Sequence, residues 1–267
     1  MIEHVVPATV RSRVVYGDAL DQAPLYPQEA EAVARAVAKR RGEYAAGRAC
    51  ARAALAELGH PPGPILREAE RGAPVWPAGV VGSITHTDGY RAAAVARTED
   101  VLTLGIDAEP HGPLPEGVLD VILATPAERA ALDGHTARRP GIHWDRLLFS
   151  AKETVYKAWY PFHRRMLGFT EAELLFDQDA GQDAGQGADR DMGQDIGQGA
   201  GAGGRTGARG TYTARLLIPG PLLAEGVGPS VFTGRWIVRG GYVATAVVVP
   251  NEPSRPVRPT PGAPASS

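Results

Sequence analysis

The chain has 267 residues, 43% of them apolar, with 28 basic and 30 acidic side chains and a formal charge of −2. That length supports a substantial core in one large domain or two small ones, and the balanced charge argues against a generally polyanion-coated partner. Nucleic acid is therefore not the expected ligand, although a local basic patch is compatible with these totals. The first residues, MIEHVVPATVRSRVV, lack the apolar centre of a signal peptide, and no run reaches the roughly 20 apolar residues of a membrane span. A cytoplasmic chain without membrane contact is expected.

Residues 28 to 58 are rich in Ala, Glu and Arg and are followed by Gly59 and Pro61-Pro62, which predicts one long or once-interrupted helix. Cys50 lies in this pattern; as the single cysteine it excludes an internal disulfide, and with no histidine beside it, it reads as packed rather than nucleophilic. Two short apolar runs, Val80 to Thr85 and Tyr90 to Arg97, are separated by His86-Thr87-Asp88-Gly89 and predict a hairpin. A strand over Val101 to Glu109 leads through HGPLP to a helix expected over Glu116 to Leu132. Strands and helices mix without βαβ regularity, so the fold class is α+β. From about Asp177 to Gly210 a degenerate Gly-Gln-Asp-Ala tract offers almost no large apolar side chain, and a disordered insertion is expected there. Strands are predicted at Thr211 to Ile218, Ser230 to Arg239 and Gly241 to Val249, before a loose Pro-rich tail.

The stretch LGIDAEP, residues 104 to 110, places Asp107 and Glu109 on one face of a strand and Ala108 on the other, because strand side chains alternate. Pro110 should end the strand and leave the pair at an edge. Two carboxylates this close are either solvated or hold a cation, and hard oxygen ligands beside phosphate suit Mg²⁺. In FSAKETVYKAW, residues 149 to 159, Ser150 and Glu153 fit an S-x-x-E capping box, and Glu153 and Lys157 could form an i, i+4 ion pair. The functional alternative is a helix N-terminus that turns Glu153 to a metal and Lys157 to a phosphate. On a helical wheel Tyr44, Ala51, Leu55 and Leu58 form an apolar stripe bordered by Arg41, Arg48 and Arg52. These arginines either snorkel to solvent or receive an anion, and Arg71, before a Gly-Ala-Pro turn, is a weaker candidate of the same kind. His86 follows Thr85 at a strand end, where it is either a packed residue or a donor to a phosphate.

GSITH, then GIDAE, then FSAKETVYKAW resemble, in order and spacing, the phosphopantetheinyl transferases of the surfactin-synthetase or enterobactin-synthetase type. AGRACAR at 46 to 52 and GAPVWP at 72 to 77 are similar to the enterobactin-type branch, and the likeness extends over about residues 28 to 176. The resemblance implies a pseudo-twofold pair of similar α/β subdomains, residues 1 to 105 and 106 to 250, each a small antiparallel sheet on a long helix. Coenzyme A would lie between them. It implies that Asp107, Glu109 and Glu153 hold Mg²⁺, that Lys157 meets the phosphates, and that His86 and Thr85 take the 3′-phosphate or nearby pyrophosphate oxygens. Arg41, Arg48 and Arg52 match the helix that flanks the nucleotide. Ala73 stands where several members carry a basic residue that contacts coenzyme A, so either Arg71 compensates or that contact is missing.

The implied reaction moves 4′-phosphopantetheine from coenzyme A to a serine of an apo acyl or peptidyl carrier protein and releases 3′,5′-ADP. Lys157 and a divalent cation would stabilise the leaving phosphate, and Glu153, directly or through a metal-bound water, would take the serine proton. Polyketide, nonribosomal peptide and fatty acid carriers all fit, and a monomer is expected. Two other readings are a catalytically silent coenzyme A or carrier-docking protein and a Mg²⁺-dependent phosphohydrolase.

Overall fold

The structure, a computed structural model, describes residues 1–177, 207–218 and 230–251. The first half forms β1 (Arg11–Tyr16), α1 (Pro27–Ala32), α2 (Ala38–Glu57), β2 (Val80–Thr87) and β3 (Tyr90–Arg97). The second comprises β4 (Val101–Pro110), α3 (Val118–Ile122), α4 (Pro126–Arg138), α5 (Trp144–His163), β5 (Ala172–Phe176), β6 (Ala208–Leu216), β7 (Val231–Arg239) and β8 (Tyr242–Pro250). Two antiparallel sheets result, ordered β1-β3-β2 and β4-β8-β7-β6-β5. α2 packs on β1 and β3, and α5 packs on β4 and β8, so each sheet carries one helix of 20 residues. The α+β class and the helix-on-sheet units agree with the sequence.

Several expectations are corrected. The hairpin turn is only Asp88-Gly89, with Thr87 opposite Tyr90 and Gly89 at φ 69°, so His86 and Thr87 are strand residues. The helix expected over 116 to 132 is two helices: Pro126 opens α4 and the Thr125 hydroxyl caps it by accepting from the Glu128 N–H. Ser150 caps nothing, because it lies inside α5, fully buried, with its hydroxyl 2.9 Å from that of Thr245. The expected boundary at residue 105 falls within β4, which pairs with β8 from Val101 to Pro110; the chain changes sheet at residues 98 to 100. β1 was not expected from the sequence. Ala208 to Gly210, assigned to the insertion, begin β6. The rest of that tract, apart from Asp177 and Gly207, and residues 252 to 267 of the tail lie outside the described residues.

β4 joins the two halves. Its Leu104, Ile106 and Ala108 enter a core shared with Ala92, Ala94 and Ala96 of β3 and with Ala244 and Ala246 of β8. The alternate residues meet α5: the Thr103 hydroxyl donates to the Ala158 carbonyl at 2.7 Å, and a Cβ on Gly105 would stand 2.2 Å from the Thr154 carbonyl oxygen. Gly105 thus lets the helix settle against the strand, which brings Asp107 beside the middle of α5. Among the described residues, no helix is long and apolar enough to cross a membrane.

Candidate active site

The site forms where β2, β4 and the middle of α5 converge. Asp107 is 4% exposed. Its Oδ1 accepts from the Thr85 hydroxyl at 3.0 Å and from the Lys157 ammonium at 2.7 Å, while its buried Oδ2 has no partner. Lys157 also donates to the Ile106 carbonyl at 3.2 Å, and its side chain remains 25% exposed. One of its three N–H bonds is therefore left for a further acceptor. The expected Glu153–Lys157 ion pair is replaced by this bond across to the strand.

Glu109 projects from the same face of β4. Burial, and then the charge of Asp107, pushes its carboxyl up to about 7, with Arg146 at 3.5 Å opposing that shift. Glu153 is likewise pushed up, by burial first; Lys157 lowers it and Asp107 raises it. Among the described residues no three carboxylate, histidine or cysteine side chains already form a metal-ready cluster. The donor set nonetheless fits a small hard cation: one buried orphaned oxygen of Asp107, and two carboxyls, Glu109 and Glu153, whose ionisation is held back by burial and by the charge of Asp107.

His86 sits at the other side of β2. Arg40 contacts its Nε2, and its Nδ1 is 3.5 Å from Glu43 of α2. Burial, reinforced by Arg40 and Lys157, pushes the imidazole down to about 4, so the ring is neutral at pH 7. Its partners assign Nε2 as acceptor from Arg40. It is an orienting group rather than a source of protons.

The arginines divide differently from the helical-wheel reading. Arg40, Glu43 and Gly47 face β2; a Cβ on Gly47 would reach 3.0 Å from Ile84. Arg41 turns to the Ala36 carbonyl. Arg52 donates to fully buried Glu29 at 3.0 Å and to the Pro24 carbonyl at 2.8 Å. Arg48, 6% exposed, stacks over Tyr44 at 4.0 Å and donates from Nε to the Ile65 carbonyl at 3.2 Å, which leaves one buried nitrogen without a partner. Arg48 and Arg52 thus hold α1 and the 60s loop to α2. Arg40 is the residue the sequence reading missed, and its signal was the glycine seven positions on, which marks the helix face that lies on the sheet. Thr85, expected to meet ligand, spends its hydroxyl on Asp107 and on the Ala108 N–H at 3.3 Å.

Beside Lys157 opens a cleft of about 660 Å³. Ser83 and Thr103 lie on its strand walls, Tyr156 and Tyr160 on its helix wall, and Arg71 and Trp76 on a loop across from them. Cys50 does not line this cleft; it lies on the buried face of α2, its thiol pushed up to about 11 by burial. It is a packing residue.

A family model for the 4′-phosphopantetheinyl transferase N-terminal domain matches residues 28–96, and one for the 4′-phosphopantetheinyl transferase superfamily matches residues 103–195. The chain is 49% identical over 251 residues to the 4′-phosphopantetheinyl transferase Svp of Streptomyces mobaraensis, covering 93% of this chain and 89% of that protein. It is 43% identical over 254 residues to PptT of Mycobacterium tuberculosis, covering 93% and 98%. Npt of Nocardia iowensis is also 43% identical, over 247 residues, 92% of this chain and 99% of that one. The likeness to enterobactin synthase component D of Escherichia coli is 38% over 123 residues, 45% of this chain and 55% of that protein, so it is local. The chain belongs to the 4′-phosphopantetheinyl transferase superfamily.

Proposed function

We propose that this transferase moves the 4′-phosphopantetheine group of coenzyme A to a serine hydroxyl of an apo acyl or peptidyl carrier protein, with Mg²⁺ held by Asp107, Glu109 and Glu153. The supporting observation is Asp107, which pairs with Lys157 through one oxygen, keeps the other buried and unpartnered, and has a charge that raises the carboxyls of Glu109 and Glu153. When bound, the cation supplies positive charge against the pyrophosphate oxygens, which become more negative as the bridging bond breaks.

The protein's own groups perform the rest. Lys157, fixed by Asp107 and the Ile106 carbonyl, directs its remaining N–H at a phosphate oxygen. Arg40, oriented by neutral His86, supplies a second cation at the end of β2, and Arg71 a third across the cleft. The carrier serine Oγ bonds to the phosphorus that carries pantetheine, the bond from that phosphorus to the bridging oxygen breaks, and 3′,5′-ADP leaves with the electron pair. Glu153 is the carboxylate proposed to receive the serine proton. Thr85 holds Asp107 in place and touches no substrate in this scheme.

Incubation of the purified protein with coenzyme A, Mg²⁺ and apo carrier should add one phosphopantetheine to the carrier, read as intact mass. Absence of that gain across a panel of acyl and peptidyl carriers would refute the transfer. Release of 3′,5′-ADP without any carrier would favour a phosphohydrolase.

A further inference from the structure

Arg40, Glu43 and Gly47 stand at i, i+3 and i+7 along α2 and share the helix face that lies on β2. Ile84 and His86 are two residues apart and share the strand face that meets it. Gly47 allows the close approach, since a Cβ there would stand only 3.0 Å from the Ile84 side chain, and Glu43, one turn earlier, arrives beside His86. Lys39 pins the same end of α2 to the hairpin turn through Asp88 at 3.2 Å.

A neutral imidazole carries one proton, and the bond made by one ring nitrogen decides what the other holds. A guanidinium only donates, so Arg40 requires a bare Nε2 and leaves the proton on Nδ1. Nδ1 faces Glu43 Oε2 at 3.5 Å, and the same oxygen is 3.6 Å from Arg40 Nη1. One carboxylate oxygen therefore meets both partners of the Arg40–His86 contact. The Glu43 side chain is 12% exposed against 45% for Arg40, so the acid is the buried member of the set and the arginine the open one. Among the described residues Glu43 forms no ion pair outside this set. Its charge has the wrong sign for a phosphate site, and Coulomb repulsion alone would make it a handicap there.

We propose that Glu43 is a positioning residue: it keeps the His86 proton on Nδ1, so that Nε2 holds the Arg40 guanidinium where a phosphate of coenzyme A meets it. This role rests on Arg40 being one of the phosphate-binding cations of the proposed function. Glu43 itself touches no substrate. Its two effects on coenzyme A oppose each other, since the negative charge weakens phosphate binding and the orientation strengthens it.

The test measures kcat and KM for coenzyme A with one apo carrier in Glu43→Gln and Glu43→Ala, beside long-range ¹H–¹⁵N spectra of the histidine rings without ligand. Glu43→Gln keeps an acceptor oxygen and loses the charge, so KM should stay at or below the wild-type value. Glu43→Ala loses both; because alanine suits a helix the fold should persist, while KM rises about tenfold and kcat holds. In that variant the His86 signals, assigned by their loss in His86→Gln, should change from a protonated Nδ1 to a mixture of the two tautomers. In an Arg40→Ala background, adding Glu43→Ala should raise KM no further, as expected of residues that act in series. A KM in Glu43→Ala no higher than in Glu43→Gln would overturn the positioning role, because only the charge would then matter. An unchanged His86 pattern in Glu43→Ala would overturn it as well. A wild-type protein that transfers nothing from coenzyme A would overturn the proposed reaction instead, and the ring spectra would still decide the tautomer.

Discussion

Lys152 and Lys157 lie five residues apart on α5, and each meets a buried carboxylate. Lys152 is 3.0 Å from Glu128 and also donates to the Phe169 and Ala172 carbonyls, both at 2.8 Å. Glu128 in turn accepts from the Ala124 and Leu174 N–H groups at 2.6 and 2.7 Å. Every donor of that lysine and both oxygens of that carboxylate are used, which ties α4, α5 and β5 together. Lys157 and Asp107 are left incomplete: one N–H is spare, one buried oxygen has no partner, and Glu109 and Glu153 add charge of the same sign nearby. Because most buried polar groups in folded proteins are hydrogen-bonded, an unfinished charged centre beside a cleft is where a ligand is expected, and a finished one is where the fold is held.

Removing the carboxylates should separate the two centres by assay. Asp107→Ala should lower turnover roughly 10²–10³-fold, since it deletes a proposed cation ligand and the anchor of Lys157. The thermal midpoint should change little, and the rise in midpoint that Mg²⁺ gives the wild type should vanish. Near-normal turnover, or an unchanged response to Mg²⁺, would contradict the assignment. Glu128→Gln should do the reverse. It leaves a buried ammonium without its counter-charge at an expected cost of about 3–5 kcal/mol in urea unfolding, with the Mg²⁺ response retained. Replacing both partners by Met and Leu should not restore stability here. Two carbonyls bonded by Lys152 and two N–H groups bonded by Glu128 would lose their partners.

The next test moves the open centre without changing its charges. Gly105→Ala places a methyl 2.2 Å from the Thr154 carbonyl oxygen, which is backbone and cannot swing aside. α5 and β4 must separate, at about 1–3 kcal/mol of overpacking, and the bond between Lys157 and Asp107 should lengthen with them. The expected reading is a lower unfolding midpoint together with a larger Mg²⁺ requirement. A lower midpoint with unaltered Mg²⁺ dependence would show that the centre tolerates the shift.

The sequence made the open centre easier to see than the closed one. Asp107 and Glu109 stand out because a two-residue spacing on a strand forces them to one face, and Gly105 and Pro110 frame them. Lys152 sits in the same stretch, but nothing local shows that it turns to Glu128, because the two are 24 residues apart and meet only after α4 folds back. Ser150 misled for the same reason: S-x-x-E fits a cap, while the true start of α5 lies at Trp144 and Ser150 faces β8. The break before α4 was legible as Thr125-Pro126 with Glu128 behind it, a start signal inside an otherwise continuous helical pattern. β1 was hidden because Arg11, Ser12 and Arg13 precede its apolar residues and the strand is nowhere fully buried. The arginines of α2 needed tertiary structure: the wheel gave their common stripe, but which stripe meets β2 depends on Gly47 against Ile84.

The smallest predicted effect concerns His86, which belongs to the open centre through Arg40. The unfolded chain carries an ordinary imidazole near 6.5, and the folded one is pushed down to about 4 by burial and then by Arg40 and Lys157. Between these values the unfolded state binds more protons, so this group makes stability rise with pH across that window and contributes a constant amount above it. Glu109 acts in the opposite sense over an overlapping window, since its folded carboxyl, held up to about 7, takes protons that the unfolded one releases. The measurement is therefore a difference: urea midpoints at pH 5 and pH 7 for the wild type and for His86→Gln. The wild type should lose more stability on acidification than the variant. Equal losses would mean that the imidazole between Arg40 and Glu43 accepts its proton in the folded chain as readily as in the unfolded one.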